Sequence, residues 1–224
     1  MAIRFQLGGR VHTDMISHST PFFPARTGAE FLEFLQAVIA SPPGTPSPSP
    51  VEQFLGSHPA ALAHVTAPKP TPSSYAREIY YGVTALKLID ANGKATFIRH
   101  RVIPDLGVDT LDAATLKDKG PDFLQQEIAE RLQAGPVSFK LVAQVAEDGD
   151  VTDDATIHWP ETRPIVELGT VTLEGISPDN AAQQKYIIFD PIPRVSGVEP
   201  SDDPLLEMRA AIYLISGKER RAAP

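Results

Sequence analysis

Apolar positions repeat at helical spacing in the segment that follows Thr27. Thr27 and Glu30 form the Thr-x-x-Glu pattern of a capping box, in which each side chain bonds a backbone amide at the start of a helix. Apolar residues then recur three or four positions apart, as in a helix with one packed face: Phe31, Phe34, Leu35, Val38 and Ile39. This pattern predicts a helix over residues 27–39.

Continuous and alternating apolar runs, which are typical of strands, occupy the middle of the chain. The runs Ile79–Ile89 and Ala95–Ile103 flank an Asp-Ala-Asn-Gly segment, and Asn-Gly between two such runs is a strong hairpin signal. A second long helix is predicted to begin at Pro121 and to stop at Gly135. Further strands are predicted over residues 3–7, Val137–Ala146, Ile165–Leu173 and Lys185–Phe189.

Two proline-rich stretches interrupt the first third of the chain. Residues 41–50 and 68–74 hold many of the 22 prolines, which predicts long surface loops rather than helices or strands. Short helices are expected between them, at Val51–Leu55 and Pro59–His64. Many antiparallel strands with inserted and C-terminal helices predict an α+β fold, built on a barrel or a curled sheet. We expect residues 1–224 to form a single domain with these two loops.

Composition excludes several classes of function. The chain has 20 Lys and Arg against 28 Asp and Glu, a formal charge of −8, which disfavours nucleic acid and anionic membranes as partners. It has no cysteine, which excludes disulfides, thiolate metal sites and cysteine nucleophiles. No apolar run is long enough to span a bilayer, and the first residues alternate like a strand rather than forming a signal peptide.

The last predicted helix carries the most informative pair of side chains. Asp203 and Pro204 are typical of a helix start, and Arg209 and Tyr213 follow four positions apart, on one face. A guanidinium beside a phenol favours the phenolate, which is a ligand that ferric iron accepts, as in the tyrosine-ligated haem of catalase. Tyr213 as a packed core residue, and Arg209 as its solvated neighbour, is the commoner arrangement, so the spacing alone leaves both readings open.

The segment around this pair resembles the proximal segment of the haem catalases. The shared motifs are Phe-Asp-Pro at residues 189–191, Gly-Val-Glu-Pro-Ser at 197–201 and Arg-x-x-x-Tyr at Arg209 and Tyr213. The resemblance implies that Tyr213 is the axial ligand of a ferric haem b and that Arg209 bonds its oxygen. It further implies that Arg220 pairs with a haem propionate, although a charged residue so near the C-terminus is also explained as a solvated side chain.

Weaker motifs extend the resemblance over nearly the whole chain. They are Tyr-Gly at residues 81–82, Lys-Leu at 87–88, Asn-Gly at 92–93 and Trp-Pro at 159–160. The sequence is similar above all to the small catalase-related haem proteins, several of which act as peroxidases. The fold so implied is an antiparallel catalase-type β-barrel, complete or lacking its first strands, with inserted and C-terminal helices.

The N-terminal third resembles the family less closely. Residues 14–21 stand where the family carries a distal segment, and His18 occupies the place of an asparagine that helps to orient peroxide. The resemblance places Phe23 in the distal pocket and Phe31 beside the porphyrin, while core packing explains both phenylalanines equally well. The family's distal histidine lies on a strand before the part matched here, so His18 is the best candidate for a distal acid–base group.

These observations lead to three hypotheses. The first is a haem peroxidase that uses Tyr213, Arg209 and His18 on hydrogen peroxide or organic hydroperoxides, with an organic reductant as second substrate. The second is a haem-binding protein that is catalytically impaired because it lacks the distal histidine. The third is a barrel that binds a small apolar ligand without haem. An incomplete barrel would also expose strand edges, which favours pairing between copies of the chain.

Overall fold

The computed structural model describes residues 1–223 and consists of two antiparallel sheets with helices packed around them. The strands are β1 (Ala2–Gln6), β2 (His12–Ile16), β3 (Tyr80–Tyr81), β4 (Leu86–Ile89), β5 (Ala95–Pro104), β6 (Val137–Val145), β7 (Ile165–Leu173) and β8 (Val198–Pro200). The helices are α1 (Gly28–Ile39), α2 (Pro50–Ser57), α3 (Pro59–Thr66), α4 (Ala113–Lys117), α5 (Phe123–Ala134), α6 (Asn180–Gln184) and α7 (Pro204–Ala222). The predicted α+β class with antiparallel strands is therefore confirmed.

The large sheet is open rather than closed into a barrel. Its strand order is β7-β6-β5-β4-β8, and β3 pairs with β5 beside β4. β1 and β2 form a separate hairpin, so within residues 1–223 no strand pairs with the free edge of β7. Of the two forms expected, the complete barrel is not found within residues 1–223, where no strand joins the two edges of the sheet.

Local sequence signals account for the long helices and for the hairpin. At α1, the Thr27 hydroxyl accepts a hydrogen bond from the Glu30 amide, as the capping pattern predicts. At the β4–β5 turn, the Asp90 carboxylate accepts from the amides of Asn92 and Lys94, and Gly93 has φ +79°. Helix α5 ends at Gly135, as predicted. The helical pattern predicts that Ile39 lies on the packed face of α1, but Ile39 is 80% exposed.

The prediction of a strand over Lys185–Phe189 is wrong. The carbonyls of this segment bond to side chains instead of a neighbouring strand: Arg4 donates to the Ile188 carbonyl, and Arg220 donates to that of Ile187. Conversely, the apolar pattern of the sequence does not predict β8, whose three residues pair with β4 and end in proline. A run that short carries too few alternating positions to be distinguished from a loop.

The main core lies between the large sheet, the β1–β2 hairpin and α5. Its buried centre includes Tyr80, Val102, Phe139 and Leu141, against which Ile3 and other half-buried residues of the hairpin and α5 pack. A smaller cluster of Val83, Ala155 and Leu205 holds the start of α7. Among the described helices, none combines the length and apolar character that crossing a membrane requires.

Candidate haem site

Arg209 and Tyr213 face each other on α7, which begins with a capped first turn. The Asp203 carboxylate accepts a hydrogen bond from the Leu205 amide at 2.9 Å, and Pro204 occupies the first helical position. Arg209 Nε and Nη2 both donate to the Tyr213 hydroxyl oxygen, at 3.1 and 3.0 Å. The spacing of four residues thus produces the contact that the sequence suggested.

This contact directs two donors at one phenol oxygen. Arg209 is only 9% exposed, while Tyr213 is half-buried. The guanidinium supplies positive charge and two hydrogen bonds to an oxygen that would carry negative charge as a metal ligand. Arg209 only donates in this contact, so a metal ion bound to this oxygen would take the position of the phenol proton.

An apolar cavity of about 220 Å³ lies against one side of Tyr213. The structure brings together there all the distal residues named from the sequence. The lining residues are His18, Phe23, Phe31, Val83, Leu205, Met208, Arg209, Ile212 and Tyr213. A cavity that combines an apolar wall with a few convergent polar groups is typical of a ligand or cofactor site.

A second hollow of about 350 Å³ lies against another part of Tyr213. Its walls come from β1, the end of β2, the segment 187–189 and the second half of α7. The lining residues are Ala2, Ile16, Ile187, Ile188, Phe189, Tyr213, Ser216 and Arg220. Tyr213 is the one residue that lines both hollows.

Besides Arg209 and Tyr213, the apolar cavity is lined by one further titratable side chain, that of His18. Its backbone forms a two-bond bridge with Tyr81, at 2.8 and 2.7 Å, and its ring packs edge-on against Phe23 with the centroids 5.9 Å apart. Its buried Nε2 has no hydrogen-bond partner among the described residues. Burial, and then the charge of Arg209, lower the pKa of His18 to about 4, so the imidazole is neutral at pH 7.

Phe23 and Phe31 form one aromatic wall of the cavity. Their ring centroids are 4.9 Å apart and tilted by 47°, which is a favourable arrangement for aromatic pairs. Phe23 also packs on the cluster around Leu205. Both rings therefore pack against neighbouring side chains and also line the cavity. Core packing and a place in the pocket, the two explanations that the sequence left open, both apply.

Arg220 lies in the second hollow, on the exposed side. Its guanidinium donates to the carbonyls of Gln184 and Ile187 at 3.0 and 2.7 Å. These bonds hold the segment 184–187 against α7 and place the cation at the edge of the hollow. The sequence did not identify Ile187, Ile188 or Met208 as cavity residues, because isolated aliphatic residues carry no chemical motif.

The residues present fit a tyrosine-ligated haem. Three observations support this: a phenol oxygen that accepts two bonds from Arg209, two hollows that both border Tyr213, one of them apolar, and the unpartnered Nε2 of His18. In this arrangement Tyr213 would hold the iron, Arg209 would keep negative charge on its oxygen, and Arg220 would lie near a carboxylate at the macrocycle edge.

The chain belongs to the catalase family, as the sequence motifs suggested: the family model described as "Catalase" matches residues 1–223. A catalase-related peroxidase of Mycolicibacterium paratuberculosis is 35% identical over 98% of this chain and 70% of its own length. Another, of Synechococcus elongatus, is 32% identical over 98% of this chain and 66% of its own length.

The fold is also similar to that of larger catalases. A crystal structure of a fungal catalase superposes with a TM-score of 0.83 at 23% identity, over 98% of this chain and 47% of the fungal one. At that identity the likeness shows the fold alone. The chain thus spans about two thirds of the peroxidase relatives and about half of the large catalase.

Proposed function

We propose that this protein is a haem-dependent peroxidase in which Tyr213 holds a ferric haem b and which acts on hydrogen peroxide or organic hydroperoxides. The contact of Arg209 Nε and Nη2 with the Tyr213 oxygen carries this proposal. The similarity to two catalase-related peroxidases supports it. When bound, the haem supplies an iron centre that exchanges electrons with peroxide and then with an organic reductant.

In this proposal the protein holds the cofactor and moves one proton. Arg209 stabilises charge on the Tyr213 oxygen through two hydrogen bonds. His18 Nε2 accepts a proton from the bound peroxide and returns it to the departing oxygen, the role of a general base and then a general acid. Phe23 and Phe31 shield this transfer from bulk water.

The Tyr213→Phe variant tests the proposal directly. Because phenylalanine keeps the ring and removes the oxygen, we expect the reconstituted variant to lose the absorption spectrum of a tyrosinate-ligated haem and to bind haem more weakly. Tyr186→Phe is the matched control, since Tyr186 is 67% exposed and lies outside both hollows. A Tyr213→Phe protein with the wild-type spectrum would overturn the proposal.

A second candidate is a haem-binding protein with little turnover. The low pKa of His18 favours it, because a general base works best when its pKa lies near the working pH. The two candidates differ in one measurement, the rate of peroxide consumption by the loaded protein relative to free haemin. Turnover well above haemin that falls in His18→Ala supports the peroxidase, and turnover equal to haemin supports the non-catalytic protein.

A further inference from the structure

A buried hydrogen bond joins the two sheets next to His18. Ser17 Oγ and His100 Nε2 lie 3.0 Å apart, and Ser17 and His100 are 7% and 4% exposed. Ser17 directly follows β2 of the hairpin, whereas His100 lies in the middle of β5 of the large sheet. The bond therefore ties the hairpin to the large sheet, at the residue that precedes His18.

The structure makes room for this bond at Gly82. Gly82 donates its amide to the His100 carbonyl at 2.8 Å, and a Cβ atom on Gly82 would lie 2.4 Å from His100 Cε1. The imidazole thus lies directly over Gly82, the residue that follows β3, and reaches Ser17. Tyr81, which neighbours Gly82, forms the backbone bridge to His18. The bond and the bridge thus act on the adjacent residues Ser17 and His18, and their partners His100 and Tyr81 lie on the paired strands β5 and β3.

An imidazole at this position lowers the stability of the folded state. His100 Nδ1 is buried and has no hydrogen-bond partner within residues 1–223. A buried polar atom without a partner destabilises the folded state, and an apolar ring of similar shape would avoid that cost. The feature that an apolar ring would not reproduce is the bond from Nε2 to Ser17.

We propose that His100 is a positioning residue for His18 and acts through Ser17. The side-chain bond fixes Ser17 on the large sheet, and the bridge to Tyr81 fixes the His18 backbone, so together they set where the His18 ring enters the cavity. The value of this positioning for turnover rests on the proposed function, in which His18 handles the peroxide proton. The positioning itself is a property of the haem-free protein.

The packing of the His18 ring on the Phe23 ring provides a readout in the haem-free protein, because the centroids are 5.9 Å apart. We expect Ser17→Ala and His100→Phe to weaken the nuclear Overhauser effect between the two rings and to broaden the His18 ring signals. His100→Gln retains a side chain that can donate to Ser17 Oγ or accept from it, and is expected to restore both. Ser138→Ala, a serine of β6 that bonds Thr172, is the matched control and should leave them unchanged.

Ring signals identical to those of the wild type in folded Ser17→Ala and His100→Phe would overturn the proposal. In the haem-loaded protein, the same two variants should lower peroxide turnover by roughly 10–100-fold without changing the absorption spectrum that reports Tyr213. Changed ring contacts combined with full turnover in His18→Ala would support the positioning role and would contradict the proton-transfer role of His18. The two proposals can therefore fail separately.

Discussion

At the scale of single residues, the candidate site depends on one side-chain pair that the sequence could predict. Arg209 and Tyr213 are four residues apart on one helix, so their contact follows from helical geometry alone. The third member, His18, comes from a strand end nearly two hundred residues earlier. Its entry into the same cavity depends on the tertiary fold, and only the family resemblance placed it there.

Replacing Arg209 tests whether the pair works as a unit. Arg209→Met keeps most of the buried side-chain volume but removes the charge and both hydrogen bonds to Tyr213. Loss of such a partner of a metal ligand typically costs roughly 10–100-fold in affinity or activity, so we expect haem affinity to fall by about that factor. Haem titration of the variant measures it. Arg221→Met, an exposed change on the same helix, should bind as the wild type does, and equal affinity in Arg209→Met would contradict the pairing.

A second residue-scale prediction concerns Asp14, whose side chain is fully buried. It accepts two bonds from Arg4 at 2.7 Å and one from the Asp190 amide at 2.8 Å. Asp14→Asn leaves Arg4 without its counter-charge, and breaking a buried pair costs about 3–5 kcal/mol of unfolding free energy. Chemical denaturation measures this. The exposed pair of Arg26 and Asp153 supplies the control, since Asp153→Asn should cost less than about 1 kcal/mol.

At the scale of elements, periodicity predicted the long helices and the hairpin but not the segments that complete the site. Residues 185–189 read as a strand because they are apolar, yet Arg4 and Arg220 bond the carbonyls of Ile188 and Ile187 and hold the segment beside α7. Whether an apolar run pairs with a strand depends on which partners the fold brings to its backbone. Local sequence does not contain that information.

Gly217 shows how closely this segment packs on α7. A Cβ atom at Gly217 would lie 2.4 Å from both Cδ1 and Cγ1 of Ile188, which lines the second hollow. Gly217→Ala gains about 1 kcal/mol in helix propensity but forces Ile188 to move, at a cost of about 1–3 kcal/mol, so we expect a net loss of stability. Gly56→Ala in α2, where the new Cβ meets nothing within 4 Å, should instead stabilise the protein. A stabilising Gly217→Ala would show that Ile188 moves freely.

At the scale of the whole molecule, the two sheets meet where titratable groups are buried. The β1–β2 hairpin contacts the large sheet through the His18–Tyr81 bridge and the Ser17–His100 bond, so both imidazoles lie at the junction. Burial, with smaller contributions from the charge of Arg209, lowers the pKa of each to about 4. Lowering the pH should therefore weaken the contact between the two sheets, because it protonates these imidazoles.

The sign of this effect follows from proton binding. The ordinary pKa of these imidazoles is 6.5 and their folded pKa is about 4, so between these pH values the unfolded chain binds more protons than the folded one. The two imidazoles therefore make their full contribution to the free energy of unfolding above pH 6.5. This contribution is lost as the pH falls towards 4, by up to about 1.4 kcal/mol per pH unit for each imidazole. Burial raises the pKa of Asp203, which acts in the opposite direction.

Comparison with His100→Gln isolates one of the two imidazoles, because this variant keeps the bond to Ser17 and with it the position of His18, and Asp203 is present in both proteins. We expect urea denaturation of the haem-free variant to show a smaller loss of unfolding free energy between pH 6.5 and 4. The slope of the unfolding free energy against pH should be smaller by roughly the amount that one bound proton contributes. The difference between the two proteins at pH 8, where both imidazoles are neutral in either state, measures the change in packing and is subtracted. Parallel pH profiles for wild type and variant would mean that His100 is protonated as easily in the folded protein as in the unfolded chain, and that the junction of the sheets is open to water.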